Sequence, residues 1–456
     1  MTERLIVIGG DAAGMSGASQ ARRLKKPEAL EILAFEKGNF TSYSACGIPY
    51  TLGGVVDDFD DLIVRTPEEF RERQSIEVRL RHEVTKIDTD ERTVTARNLE
   101  NGTESKESFD YLLVATGARP VTPPLPGVDA DGVFGVQTLD DGTAIEKFMS
   151  EHDPQKAVVV GGGYIGLEMA EALVIRGLDV SVVELAPQPM SALDPDMGDW
   201  VAEKMRRMGM KILTSEPVTA FETDEGRVRA VVTETSNLPA DIVVLGLGVR
   251  PNSDIAKDAG IEIGESGGVK VNQRMETSVK GVWSAGDCAE KFHRVTRKGV
   301  AIALGTHANK EGRVAGMNIG GDYATFPGVV GTAVSKVCDL EVARTGLKET
   351  EATEMGFEYF TCVVDSSTRA GYYPGAGAIK IKLIVEVRSG RLLGAQIVGE
   401  EGAAKRIDVL ATALWNEMKV DEMLNLDLSY APPFAPVWDP VLIAARKAWE
   451  KLEKNR

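Results

Sequence analysis

Apolar positions along this chain fall into continuous runs and alternating stretches, and the continuous runs recur in one order. Residues 5–24 pass from a Leu/Ile/Val strand through a glycine turn into a helix, and residues 157–176 do the same. Each unit is followed by another strand that ends in an acid, residues 32–36 ending at Glu36 and residues 180–184 ending at Glu184. Strand, tight turn, helix and strand at this spacing predict βαβ units of a parallel sheet. Two copies about 150 residues apart predict two dinucleotide-binding domains. Residues 111–116 and 241–247 are unbroken apolar runs, as in strands buried on both faces, while 75–96 and 211–235 alternate.

The proline-rich residues 120–127 read as a stiff linker between domains. From about Phe326 the pattern changes: strands at 378–387 and 392–398 and a helix at 403–417, with no glycine fingerprint. This predicts a C-terminal α+β domain with another purpose, such as dimerisation. Residues 438–456 read as an amphipathic helix with a charged tail, expected to be a solvated end. The fold class is α/β, with two Rossmann-like domains followed by that α+β domain.

Composition narrows the partners. The 456 residues suggest about three domains, and the net charge of −17 disfavours nucleic acid and anionic lipid. No apolar run approaches the roughly 18 residues needed to span a bilayer, and Met1-Thr2-Glu3-Arg4 leads directly into a strand. The expectation is a cytoplasmic protein with no membrane partner. Cys46, Cys288, Cys338 and Cys362 have no C-x-x-C spacing, so neither a metal site nor a disulfide framework is expected.

The turn Gly161-Gly162-Gly163-Tyr164-Ile165-Gly166 has the complete G-x-G-x-x-G spacing. Gly161 permits the tight turn, Gly163 lets a pyrophosphate approach the backbone, and Gly166 lets helix and strand pack closely. Glu184 is placed to accept from a ribose 2′-hydroxyl, and Leu185-Ala186-Pro187-Gln188 offers no cation for a 2′-phosphate. NADH is therefore preferred over NADPH, as a preference rather than an absolute choice. The first turn runs from Gly9 to Gly14 with Asp11 in the middle glycine position. A turn without ligand function explains one such copy, and explains two, each with its acid, far less well. Ala115-Thr116-Gly117 closes one buried strand and Gly286-Asp287 follows another. An Asp there can bond the ribityl chain of FAD, or it can simply cap a helix.

Taken with Ser42-Tyr43-Ser44-Ala45-Cys46-Gly47-Ile48-Pro49-Tyr50 and Gly248-Val249-Arg250-Pro251-Asn252, these motifs resemble the pyridine nucleotide–disulfide oxidoreductases over nearly the whole chain. The similarity is greatest to the single-cysteine branch, which comprises coenzyme A disulfide reductases, persulfide reductases, NADH oxidases and NADH peroxidases. The resemblance implies an FAD domain (residues 1–120 and 245–325), an inserted NAD(P)H domain (121–244) and a dimerisation domain (326–456). It also implies a homodimer whose active site borrows residues from the partner, with Tyr164 moving to admit nicotinamide and Glu168 near the flavin. Gly248 belongs to the same nucleotide site.

Dithiol members carry a second cysteine five positions after the first, and here that position is Thr51. Cys46 must then react with a substrate thiol, a persulfide sulfur or oxygen. Lying before Gly47 near a helix start, it is expected to have a depressed pKa. Cys288, Cys338 and Cys362 read as small buried residues. Resembling oxidases and peroxidases carry a histidine where this chain has Ala12, which counts against oxygen or peroxide chemistry as the main function. Tyr430, and one of Tyr372 and Tyr373, match tyrosines that such reductases place over the partner's cysteine; interface packing is the alternative. Ser19, Gln20, Arg22, Arg23 and Ser42 match positions that hold coenzyme A, where Arg23 would meet phosphate, with a solvated helix surface the alternative for Arg22 and Arg23. Ala45 departs from the Asn common there, which makes a persulfide or polysulfide credible beside coenzyme A disulfide. His82, His152, His293 and His307 read as surface or packing residues. The sequence thus points to an FAD-dependent NAD(P)H reductase of a low-molecular-weight disulfide or persulfide. An NADH oxidase and a flavoprotein redox sensor or electron-transfer reductase are the alternatives.

Overall fold

The computed structural model describes residues 2–454. Two five-stranded parallel sheets share one topology. In the first, Glu3–Ile8 is central, flanked by Leu30–Phe35 and Glu77–Arg79 on one side and by Tyr111–Val114 and Val282–Ser284 on the other. In the second, Lys156–Val160 takes the central place, flanked by Asp179–Glu184 and Lys211–Thr214, and by Ile242–Leu245 and Val133–Gly135. Leu245, assigned by sequence to the first domain, is thus the last residue of a strand in the second sheet.

The reason for the continuous runs is burial on both faces. Leu5, Ile6 and Val7 are fully buried. One face of the first sheet packs against the helices Ala12–Leu24 and Gly305–Ile319. These helices approach closely because Gly312 has no side chain; a Cβ there would meet the Ala13 carbonyl oxygen at 2.1 Å. The other face is covered by the antiparallel strands His82–Asp88, Thr93–Asn98 and Glu104–Ser108, whose alternation buries Val84, Ile87, Val94 and Ala96. The second sheet is covered in the same way by Val218–Asp224, Arg227–Thr233 and Asn237–Pro239. The two crossings between the sheets pair as short antiparallel strands, Ala118–Pro120 with Val249–Pro251.

The third region is a five-stranded antiparallel sheet in the order Ala333–Val337, Leu340–Gly346, Leu392–Gly399, Ala378–Glu386, Tyr359–Ser367. The terminal helix corrects the sequence reading. Pro440–Lys454 is not a solvated end: Val441, Ala444, Ala445, Ala448 and Leu452 are buried against Tyr359–Ser367 and Ala378–Glu386. Its Lys and Glu residues occupy only the outer face. Residues 455 and 456 of that segment lie outside the described residues. Lys382, buried in this sheet, ties the region to the second one. Its Nζ lies 2.7 Å from Asp196 and 3.1 Å from Asp194, and also contacts Glu349.

Candidate active site

The two glycine turns share the conformation of their first residue and the acid that braces them. Gly9 and Gly161 adopt φ of 105° and 104°, a region closed to most side chains. The acids at the following strand ends brace the turns. Glu36 accepts from the backbone N–H of Gly10 and Gly38, each at 2.7 Å. Glu184 accepts from Gly162 at 2.6 Å and Ala186 at 2.7 Å. Beyond the strand ends, Ala115-Thr116-Gly117 meets the segment after Gly248: the Asn252 side chain donates to the Thr116 carbonyl at 3.0 Å, and its backbone N–H to the Gly117 carbonyl at 2.9 Å.

Asp287 follows the strand Val282–Ser284, and burial raises its pKa. Its Oδ1 is buried without a hydrogen-bond partner among the described residues. Such an acceptor is costly to leave unmet, and the hydroxyl of a ribityl chain is a donor of the kind it lacks, so the site fits FAD. Two residues that sequence reasoning missed hold this loop. Glu311 Oε2 accepts from Gly286 N–H at 2.8 Å, and Lys291 Nζ donates to the Gly286 carbonyl at 2.7 Å; both side chains are wholly buried, 3.6 Å apart. Lys291 and Glu311 stand 20 positions apart on separate elements, so no local pattern announces the pair.

Cys46 lies in the 3₁₀ turn Ala45–Gly47, which leads into the short helix Ile48–Leu52. The loop before it is stitched to the first glycine turn. Thr41 Oγ1 and Ser42 N–H both donate to the Gly10 carbonyl, and Tyr43 N–H donates to Asp11 Oδ1 at 3.2 Å. Cys46 reaches solvent, whereas Cys288, Cys338 and Cys362 are buried. Its expected low pKa is not found. Protein packed around the sulfur raises the thiol pKa, and the carboxylates of Glu168 and Asp287 raise it further. A five-residue helix supplies too little dipole to offset burial and two anions.

Glu168, on the helix Tyr164–Ile175, accepts from the Ser335 hydroxyl at 2.8 Å, and burial raises its pKa. On the same helix Tyr164 has a buried hydroxyl without a partner among the described residues, and burial pushes its pKa to about 12. Ile165 follows it in the first turn. His293 and His307 are buried, with burial lowering each to about 4, so both are neutral packing residues.

The Tyr372 hydroxyl acts on that of Tyr430 and raises its pKa, which distinguishes Tyr372 from its neighbour Tyr373. Arg406, another residue not anticipated, joins their segments by donating to the carbonyls of Thr368 at 2.7 Å and Phe434 at 2.8 Å. Tyr372, Phe434, Val437 and Trp438 are exposed beside them, an apolar patch of the kind that marks an interface. These tyrosines are not among the main groups acting on Cys46 of their own chain.

A groove of about 350 Å³ brings together Ser19, Gln20, Arg23 and Ser42 with Arg65, Asn309 and Arg313. Arg23 donates to the Gln20 side chain at 3.1 Å. Arg22 does not line it; its guanidinium donates to the carbonyls of Lys25 and Ser75.

Residues 3–312 match the pyridine nucleotide-disulphide oxidoreductases, and residues 332–440 match the dimerisation domain of that family. The chain belongs to this family and is an FAD-dependent oxidoreductase that uses a nicotinamide dinucleotide. It is 40% identical over 454 residues to an NADH oxidase of Methanocaldococcus jannaschii, spanning 99% of this chain and 100% of the relative. It is 40% identical over 447 residues to an NAD(P)H coenzyme A polysulfide/persulfide reductase of Pyrococcus horikoshii, 98% of each chain. The structure of an NAD-dependent persulfide reductase from A. fulgidus is similar at a TM-score of 0.96 and 40% identity, covering 99% of this chain and 84% of that one. Among the described residues no helix is long and apolar enough to cross a membrane.

Proposed function

We propose that this chain reduces a low-molecular-weight disulfide or persulfide of the coenzyme A type with electrons from NADH, and that Cys46 is the residue that meets the sulfur. The observation that carries this reading is a single solvent-reaching cysteine, with Thr51 in place of a second, on the segment whose Ser42 lines a groove holding three arginines. Three guanidiniums in an otherwise acidic protein suit the phosphates of a nucleotide thiol, and the Pyrococcus relative is named for coenzyme A.

NADH binds with its pyrophosphate at the 161–166 turn and its ribose against Glu184. Tyr164, whose hydroxyl lacks a partner among the described residues, swings to admit the nicotinamide beside Glu168. Bound FAD supplies the two-electron transfer between nicotinamide and sulfur. The Cys46 thiolate attacks one sulfur of the substrate: the S–S bond breaks, a mixed disulfide forms on Cys46, and the other half leaves as a thiolate. Tyr430 of the partner subunit donates a proton or hydrogen bond to that leaving sulfur, positioned by Tyr372. The exposed patch beside these tyrosines is the face that closes the homodimer.

The experiment is anaerobic NADH oxidation by the yellow protein, with and without coenzyme A disulfide. Oxidation that requires the disulfide and disappears in Cys46→Ser supports the reading. NADH consumption that begins only when air is admitted overturns it in favour of the oxidase, the reading suggested by the name of the Methanocaldococcus relative.

A further inference from the structure

The middle position of the first glycine turn is occupied by a carboxylic acid. In the second turn that place is Gly163, where a Cβ would meet only the Gly246 carbonyl oxygen, at 3.9 Å. That opening is what lets a pyrophosphate lie against the backbone. In the first turn the side chain of Asp11 springs from this position. Asp11 is the residue before the helix Ala12–Leu24, yet its side chain makes no capping bond to that helix. It turns instead to the cysteine loop, accepting from Tyr43 N–H at 3.2 Å. The ionisable groups with the largest effects on it, or on which it has such an effect, are Glu36 at one strand end, Asp287 at another, and Tyr43 and Cys46 on the loop. None of these is a cation.

We propose that Asp11 makes FAD binding proton-linked, its carboxyl taking up one proton as the flavin dinucleotide's pyrophosphate settles on the first glycine turn. An ionised Asp11 beside the pyrophosphate would place like charges together at a half-buried site. A protonated Asp11 can instead donate its O–H to a phosphate oxygen while its other oxygen keeps the bond from Tyr43. Without the ligand, burial, then Glu36 and Asp287, raise this carboxyl to about 6. Above that pH the proton must come from solution, and binding weakens as pH rises. The inference rests on FAD occupying the first turn.

The test dilutes the full-length holoenzyme across about pH 6.5 to 8.5 and reads the FAD dissociation constant from recovered flavin fluorescence. One proton taken up predicts a roughly tenfold weaker affinity per pH unit. Asp11→Asn keeps an acceptor for Tyr43 without the charge, and Asp11→Gly restores the glycine fingerprint. Each should flatten the dependence by a factor of about ten per unit, and the Gly variant decides if the Asn variant fails to fold. A wild-type affinity independent of pH overturns the proposal, as does a slope that survives in both variants. A protein that retains no FAD at any pH would overturn the flavin reading itself.

Discussion

Glu184→Gln should shift the enzyme from NADH toward NADPH. Glu184 is buried, and both its oxygens accept from backbone N–H groups of the second turn region, Gly162 and Ala186. Its carboxylate is therefore fixed in place beside the second turn, where the proposed nucleotide ribose would lie. For a 2′-phosphate about 5 Å away in an effective dielectric of about 20, repulsion is about 3 kcal/mol per unit charge. Solvent on the phosphate side reduces this by roughly half, leaving a discrimination of about ten- to a hundredfold against NADPH. The glutamine removes the charge but can accept with only one oxygen, so one of the two N–H groups loses its partner and NADH efficiency falls as well. Initial rates with each nucleotide and a dye acceptor give kcat/KM without involving the sulfur substrate. The ratio of NADPH to NADH efficiency should rise by at least about tenfold. A ratio unchanged in Glu184→Gln would refute the argument that this carboxylate sets the preference.

Three further outcomes follow from other parts of the molecule. Because burial, Glu168 and Asp287 hold the Cys46 thiol above its ordinary range, the reactive thiolate is scarce at neutral pH and grows with pH. Iodoacetamide labelling of Cys46, followed by mass spectrometry, should rise about tenfold per pH unit up to about pH 9, and Glu168→Gln should quicken it at pH 8; a plateau below pH 8 would contradict this. Arg65→Ala and Arg313→Ala should each raise KM for a coenzyme A disulfide by about tenfold, the worth of one charge-assisted hydrogen bond of about 1.5 kcal/mol, while leaving dye reduction by NADH unchanged. Lys382→Met should lower stability by about 3 kcal/mol, near the low end for breaking a buried ion pair. Asp194 keeps bonds from Glu349 N–H and the Gln396 side chain, and the other two acids are partly exposed. The urea midpoint read by protein fluorescence checks it, and an unshifted midpoint would mean the three acids lose nothing with Lys382.

What could be read from sequence was what repeats locally. The two βαβ units were legible because strands buried on both faces show as unbroken apolar runs, and because Gly9 and Gly161 need a backbone conformation few other residues adopt. The tyrosine segments and Gln20, Arg23 and Ser42 were legible only through motif resemblance. What escaped was set by distance in three dimensions. The electrostatic setting of Cys46 comes from Glu168 and Asp287, on elements more than a hundred positions away, so the helix start beside it predicted a shift of the wrong sign. The helix Pro440–Lys454 looked solvated because its Lys and Glu residues dominate its composition, while small alanines carry its buried face.

Buried charged residues leave the least trace in a sequence for the same physical cause. Lys291, Glu311, Lys382 and Asp194 are each buried, and a buried charge is tolerated only where a partner meets it. None of these partners is a sequence neighbour, so composition alone assigns such residues to the surface. Two of them clamp Gly286 from its N–H and its carbonyl, one residue before Asp287, and so fix the backbone that presents the unpartnered Oδ1. The other two join the second and third regions, and the helix bearing Glu168 is tied to the third region in turn through Ser335. The position of Glu168 beside the thiol therefore depends on how the third region is seated. A chain that joins the Cys46 loop, its glycine turns and its third region through such contacts makes the electrostatic setting of Cys46 a property of the whole fold rather than of its own motif.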